Sequence, residues 1–189
     1  MSAPRTGVVR DARLSPAPPP FLRPRRKTGR KRQGITYEKK VHEHLGQSLG
    51  DGYVPSPWFT YWRGERVKPL WCQPDALYFD LRASRVTIVE VKYQHTADAY
   101  WQLMDLYLPV VEAWLSPAPG PWQIDLLEVV KWYDPHTPFP AEVTLCANPA
   151  RPSMSAFNVH IWNPKRPAGG KGQSAAPSVQ PSLKVLEHG

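Results

Sequence analysis

The chain has 189 residues, of which 41% are apolar, and this suits one domain with a hydrophobic core rather than two domains. Its two cysteines, Cys72 and Cys146, form neither a disulfide framework nor metal-ligand spacing, and no apolar run approaches the roughly 18 residues of a membrane span. The formal net charge of +8 favours a polyanionic partner such as nucleic acid. We therefore expect a soluble, cytoplasmic protein with no membrane contact.

The positive charge is concentrated in the first 33 residues. They carry ten Lys/Arg and one Asp, whereas residues 34–189 carry fourteen Lys/Arg and fifteen acids. Rich in Pro and Arg, this segment is predicted to be a disordered arm, because it cannot bury enough apolar surface to fold alone. We expect it to hold a DNA backbone without reading bases, through Arg23, Arg25, Arg26, Lys27, Arg30, Lys31 and Arg32. The alternative is a tail that only solubilises or localises the protein.

Order is predicted to begin at Gly34, where "ITYEKKVHEHLGQSL" reads as a helix with Thr36 as its N-cap. Its predicted apolar stripe consists of Ile35, Val41, Leu45 and Leu49. The segment "YVPSPWFTYWRG" reads as an irregular strand, and "RVKPLWCQPDALYFDL" as a second strand region interrupted by Pro74. The polar turn "RASR" then leads into the strand "VTIVEVKYQ", which predicts an antiparallel hairpin.

A long helix is predicted over "TADAYWQLMDLYLPVVEAWL", with Thr96 as N-cap, a kink at Pro109 and Trp101 on a packed face. The strand candidates after it are "WQIDLLEVVKWY", "AEVTLC" and "FNVHIW". The segment after residue 163 is rich in Pro, Gly and Ser and is predicted to be a second disordered tail. The predicted organisation is an arm over 1–33, an α/β domain with a mixed central sheet flanked by helices over 34–163, and a tail over 164–189.

Two charged residues interrupt the apolar strand "TIVEVKYQ". Side chains alternate between the faces of a strand, so Glu90 and Lys92 share one face while Val89, Val91 and Tyr93 share the other. Burying a carboxylate and an ammonium group costs several kcal/mol unless each has a partner. The pair can offset this cost only in part, so a further ligand such as a divalent cation is expected at Glu90.

The preceding strand offers a second carboxylate, on Asp75. Pro74 has no backbone donor and is expected to open the ladder there, which would let Asp75 approach Glu90 across the hairpin. Two carboxylates and the main-chain carbonyl of Val91 form a hard-oxygen site for Mg²⁺ or Mn²⁺. With Lys92 orienting a water beside the cation, such a site is suited to phosphodiester hydrolysis.

The pair Pro74-Asp75, fourteen further residues and then Glu90-Val91-Lys92 resembles the PD-(D/E)xK nuclease superfamily, which has the restriction-endonuclease-like fold. The resemblance covers roughly residues 34–132. It implies that Asp75 and Glu90 bind Mg²⁺ and that Lys92 assists the attacking water. It further implies a Glu on the preceding helix, matched by Glu38, and a Gln on the following helix, matched by Gln102.

Each of these residues also has a structural interpretation. The "ExK" motif alone is compatible with an exposed polar face. Glu38 alternatively favours the helix N-terminus, where carboxylates are stabilised. Gln102 aligns with Asp98 and Asp105 at helical spacing, which is typical of a solvated stripe. His95 is expected to have a turn or capping role.

The sequence thus predicts a metal-dependent DNA nuclease, of the size and tail composition of phage or mobile-element endonucleases. The alternatives are a nucleic-acid-binding protein on the same fold without catalysis, and an interaction protein whose arm binds RNA or an acidic partner. The oligomeric state stays open, and the resemblance adds a homodimer as one alternative, because many members of the superfamily act as dimers to cut two strands. Exonuclease, nickase, junction resolvase and site-specific endonuclease activities stay open.

Overall fold

The structure, a computed structural model, describes residues 7–22, 30–132 and 154–163, which form a mixed α/β fold. The strands are β1 (Val9–Ser15), β2 (Tyr53–Pro55), β3 (Trp58–Arg63), β4 (Leu70–Cys72), β5 (Ala76–Asp80), β6 (Arg85–Gln94), β7 (Gln123–Trp132) and β8 (Met154–Ile161). The helices are α1 (Arg30–Leu49), α2 (Ala97–Trp101) and α3 (Leu108–Leu115), with a 3-10 turn at Gly50–Gly52 and a π-helical segment, Gln102–Tyr107, that joins α2 to α3.

The central sheet has five strands in the order β2-β5-β6-β7-β8. Its first three strands are antiparallel and its last three are parallel, which confirms the predicted mixed sheet and the predicted hairpin of β5 and β6. Strands β6 and β7 are apolar and buried over most of their length because helices cover both faces of the sheet. The helical segment between them is the crossover that a parallel pair requires.

Each face of this sheet has its own apolar cluster. On one face α1 packs through Tyr37 and Val41 against Val89, Val91 and Val129. On the other face α2, the π-helical segment and α3 pack against alternate residues of the same strands, among them Val86, Ile88, Ile124 and Leu126. Glu90 and Lys92 alternate with the α1-facing residues of β6, so their side chains belong to the α2–α3 face.

A second sheet, of order β1-β3-β4, was not expected from the sequence. Val9–Ser15 form a strand, although the sequence predicted a disordered arm there. Pairing with β3 supplies the partner that the segment lacks by itself, and Val9 and Ala12 pack against the core. The order of this strand depends on a long-range contact, so local composition does not reveal it.

The first helix also starts earlier than predicted, at Arg30 instead of Gly34. Thr36 is not its N-cap, since the Thr36 hydroxyl lies inside the helix and donates to the Arg32 carbonyl at 3.0 Å. Ile35 is exposed, and Tyr37 takes the predicted place of Ile35 in the buried stripe. After α1 the chain turns tightly at Gly52, where an added Cβ would lie 2.5 Å from the Phe79 carbonyl oxygen.

The second helical region begins after Thr96, as predicted, but the Thr96 side chain makes no capping hydrogen bond. Its irregularity lies before Pro109 and takes the form of the π-helical segment. A proline at position 109 cannot donate to the Asp105 carbonyl, as an α-helix would require. The Arg63 guanidinium donates to that carbonyl instead, at 2.6 Å.

No helix among the described residues is long and apolar enough to cross a membrane. The predicted strand "AEVTLC" and the predicted tail at 164–189 lie outside the described residues.

Candidate active site

Asp75 and Glu90 meet at the open end of the β5–β6 hairpin. Ala76 pairs with Val89, so one step further along the hairpin Asp75 lies opposite Glu90. The ladder breaks at Pro74 as predicted, because β4 ends at Cys72 in one sheet and β5 begins at Ala76 in the other. There the Asp75 carboxylate accepts a hydrogen bond from the Val91 N–H, with Oδ2 at 2.6 Å from the nitrogen.

The backbone around Asp75 is held by neighbouring loops. Ser56 N–H donates to the Asp75 carbonyl at 2.7 Å, and the Gln73 side-chain amide donates to the Ser56 carbonyl at 3.0 Å. Ser56 has a φ of 50°, a conformation uncommon for a residue with a side chain. The Tyr107 hydroxyl donates to the Gln73 carbonyl at 3.0 Å, which ties the loop to the π-helical segment. Asp75 is thus fixed in place by contacts from three elements.

Lys92 connects Glu90 with the following helix. Its ammonium group forms an ion pair with Glu90 Oε1 and donates to Gln102 Oε1 at 2.8 Å. Gln102 begins the π-helical segment, so it faces the sheet and not a solvated stripe with Asp98 and Asp105, which are exposed. π-Helical turns inside α-helices occur frequently at functional sites. The predicted proximity of Lys92 and Gln102 is therefore present.

Burial dominates the electrostatics of the two carboxylates. The Glu90 side chain is nearly inaccessible, with the residue 2% exposed. Burial raises the pKa of Glu90, repulsion from Asp75 raises it further, and Lys92 acts in the opposite direction. Burial likewise raises the pKa of Asp75, while the hydrogen bond from Val91 opposes the rise. Glu90 Oε2 is buried without a hydrogen-bond partner, which leaves an oxygen available to a cation.

Glu38 lies at the rim of this centre, on α1. It is close enough to Asp75 to contribute to the raised pKa of that carboxyl group. Glu38 Oε1 is 3.8 Å from His42 Nε2, and His42 Nδ1 is 2.6 Å from the Tyr53 hydroxyl. Burial, together with Asp75 and Glu38, raises the pKa of Tyr53. The predicted proximity of Glu38 and Asp75 is present, whereas a catalytic role of Glu38 stays a prediction.

Two buried polar residues lie beside the centre: Glu128, which sequence reasoning missed, and His95, for which it expected a turn or capping role. Glu128 pairs with Glu90 in the register of β6 and β7, and its Oε2 lies 2.7 Å from His95 Nδ1. Burial raises the pKa of Glu128 to about 8, and burial lowers the pKa of His95. Both shifts favour a neutral pair. The signal that indicates Glu128 is a single acid within the apolar run "LLEVV", the same pattern that revealed Glu90.

The residues predicted to hold DNA are described only in part. Arg23, Arg25, Arg26 and Lys27 lie outside the described residues. Arg30, Lys31 and Arg32 belong to the first turn of α1, and Arg32 is exposed. The backbone of these three residues is helical, although the sequence predicted that they belong to a flexible arm.

The protein groups fit a cation that takes few protein ligands. Among the described residues, no three or more His, Cys, Asp or Glu side chains are grouped to hold a metal ion. Mg²⁺ is commonly bound through only one or two carboxylates and retains several waters. Asp75 and Glu90 supply two such carboxylates, and Glu90 Oε2 has no hydrogen-bond partner. The role of the Val91 carbonyl as a third ligand stays a prediction.

The site's chemistry has to be argued from its own geometry. No protein-family model matches the chain, and no curated protein and no solved structure shows significant similarity to it.

Proposed function

We propose that this protein is a metal-dependent nuclease that hydrolyses DNA phosphodiester bonds, with a core related to the restriction-endonuclease-like fold. The observation that carries the proposal is the placement of Asp75 opposite Glu90 at a broken ladder, with Lys92 held between Glu90 and Gln102. A purely structural ion pair does not explain why a second, partly buried carboxylate, that of Asp75, lies beside the buried and unpartnered Glu90 Oε2.

Asp75 and Glu90 would hold one Mg²⁺ or Mn²⁺. When bound, the cation would neutralise charge on the scissile phosphate and lower the pKa of an attacking water. Burial raises the pKa of both carboxyl groups, and repulsion from Asp75 raises that of Glu90 further, so the doubly charged state is unfavourable in the absence of a cation. Cation binding is therefore expected to be stronger at higher pH, where both groups lose their protons.

Lys92 would place a positive charge next to the scissile phosphate. The Gln102 side-chain oxygen accepts a hydrogen bond from the Lys92 ammonium group and restricts its direction, so the ammonium group is oriented before substrate arrives. Because the Lys92 ammonium group also forms an ion pair with Glu90, it lies close enough to the metal site to orient a water there. Glu38 would add a carboxylate at the open rim of the site, beside Asp75.

The test is hydrolysis. Supercoiled, linear, single-stranded and branched DNA are incubated with the protein in Mg²⁺, Mn²⁺ or EDTA, beside the variants Asp75→Asn and Lys92→Met. The proposal predicts metal-dependent cleavage by the wild type and its loss in both variants, while Asp51→Asn, an exposed carboxylate, retains it. A wild type that cleaves none of these substrates, or variants that cleave as well as wild type, would show that the protein is not this nuclease.

A further inference from the structure

The tryptophans of this chain divide into two groups by exposure. Of its eight tryptophans, all of which are described, Trp101 and Trp132 are exposed, at 43% and 50%, and the other six are partly buried. Trp114, for example, packs edge-on against Phe59 and Phe79. Trp101 immediately precedes Gln102 in the chain, and Trp132 pairs with Gln94, two residues beyond Lys92, so both exposed tryptophans have a neighbour in or close to the candidate active site.

Trp132 ends β7 beside the strand that carries the site. It pairs with Gln94, two residues beyond Lys92, and its carbonyl accepts a hydrogen bond from His95 N–H at 3.2 Å. The Trp132 backbone is therefore fixed, although its indole is half exposed.

A cation accompanies this indole. Lys131 Nζ lies 5.2 Å from the centroid of the Trp132 ring and 4.5 Å from the centroid of the Tyr93 ring. It also donates to the Tyr93 hydroxyl at 2.8 Å, so the ammonium group is held between two aromatic rings. Tyr93 follows Lys92 in β6 and faces the opposite side of the sheet, so the patch borders the candidate active site only at the shared carboxyl ends of β6 and β7.

Trp101 flanks the site from the helix side. It immediately precedes Gln102, the acceptor of the Lys92 hydrogen bond. Its ring contacts Tyr100 edge-on at 5.1 Å, and the buried Tyr100 packs in turn against Phe157. Trp101 is thus held by the packed Tyr100 while part of its indole is exposed to solvent, next to Gln102 in the chain.

Exposed indoles with a fixed cation beside them match the chemistry of an unpaired nucleotide. A base offers a flat ring face to an indole, and the phosphate attached to it offers a negative charge to an ammonium group. In a duplex the bases are stacked on each other, so their ring faces are not available to side chains.

Building on the nuclease function proposed above, we propose that Trp132, Trp101 and Lys131 bind the unpaired bases and backbone of single-stranded DNA next to the Asp75–Glu90 site. The substrate would then be a single strand or a junction with an unpaired segment, which the patch holds while the neighbouring site cuts.

The experiment measures binding without catalysis. Fluorescence anisotropy is recorded in EDTA with a labelled oligothymidine and with a labelled blunt duplex of two fully complementary strands. The variants are Trp132→Ala and Trp101→Ala. Trp132→Phe retains a ring, and Leu81→Ala removes an exposed apolar side chain in the turn at the opposite end of β6. Circular dichroism verifies that each variant is folded.

Loss of a stacking indole is expected to weaken oligothymidine binding about tenfold in each Ala variant, with duplex binding unchanged. Trp132→Phe and Leu81→Ala are expected to bind oligothymidine nearly as well as wild type does. Lys131→Ala is expected to reduce the steepness of the salt dependence by about 0.7 in the logarithmic plot, since it removes one phosphate contact. Trp132→Ala is expected to leave that steepness unchanged.

Oligothymidine binding that is unchanged in Trp132→Ala and Trp101→Ala, or that falls equally for both DNA forms, would overturn the proposal. The nuclease function fails separately, in the cleavage assay with Mg²⁺. If the protein never cleaves DNA but needs Trp132 to bind a single strand, the binding patch is supported and the nuclease function is refuted. If the protein cleaves DNA but the Trp101 and Trp132 variants bind single strands as well as wild type does, the nuclease function is supported and the binding patch is refuted.

Discussion

The buried carboxyl group of Glu128 makes the stability of the fold depend on pH. Glu128 is inaccessible to solvent, and burial raises its pKa from 4.5 to about 8. Between these values the folded chain holds a proton that the unfolded chain has lost, so the free energy of unfolding falls as the pH rises. Glu128→Gln retains the size and the hydrogen-bonding capacity of the side chain and removes its titration.

The size of the pH effect on stability follows from the raised pKa of Glu128. One proton of difference lowers the free energy of unfolding by about 1.4 kcal/mol per pH unit, so between pH 5 and pH 7 Glu128 contributes a loss of about 3 kcal/mol. For a chain of this size that corresponds to a fall in Tm of roughly 6–12 °C. Asp75 and Glu90, whose pKa values are also raised, contribute losses of the same sign. His95 has a lowered pKa and contributes with the opposite sign at acid pH.

All other titratable groups are the same in Glu128→Gln and in the wild type. The effect of Glu128 is therefore read from the difference between the two proteins in how Tm changes with pH. Thermal unfolding is followed by circular dichroism from pH 5 to pH 8 in EDTA. The Tm of Glu128→Gln should decline less steeply with pH than that of the wild type, and the variant should be the more stable protein at pH 8. Glu43→Gln is the control, since Glu43 is an exposed residue of α1 in a surface ion pair with Lys39. Equal slopes in Glu128→Gln and wild type would show that the pKa of Glu128 is not raised in the folded protein.

Three further predictions concern catalysis, folding and binding. Lys92→Met should lower the rate of DNA cleavage by about 100-fold or more at saturating Mg²⁺, because the ammonium group oriented by Gln102 is lost. The far-UV circular dichroism spectrum should stay unchanged, and a cleavage rate within a few-fold of wild type would contradict the prediction. Arg63→Ala should lower the free energy of unfolding by about 1–3 kcal/mol in urea titrations, because the Asp105 carbonyl loses its donor, and no change would exclude the role given to Arg63. Replacing Arg25 by Ala should flatten the salt dependence of duplex DNA binding by about 0.9 in the logarithmic plot, whereas an unchanged steepness would place Arg25 away from the phosphates.

The sequence predicted the centre of the site because that part depends on local rules. Alternation along β6 sets Glu90 and Lys92 on one face, and the short turn before Arg85 fixes the hairpin that brings Asp75 opposite Glu90. Gln102 follows from the same locality, since the helix begins a few residues after β6 ends.

The sequence did not predict the residues whose neighbours come from distant parts of the chain. Glu128 joins the site only because β7 pairs with β6 in the register that sets Glu128 beside Glu90. Strand Val9–Ser15 was missed because its partner, β3, lies more than forty residues further along the chain. Trp101 was expected on a packed face, but regular helical spacing does not describe a helix that passes into a π-helical segment at the next residue.

The most direct test of the account is whether Asp75 and Glu90 bind one divalent cation. Free Mn²⁺ is measured by electron paramagnetic resonance while the protein is titrated at pH 8, where both carboxyl groups are largely deprotonated. We predict that one Mn²⁺ binds per wild-type chain, and that this binding is lost in Asp75→Asn and in Glu90→Gln and retained in Asp51→Asn. A wild type that binds no Mn²⁺, or an Asp75→Asn variant that binds it equally well, would contradict the assignment of this site as a metal-dependent catalytic centre.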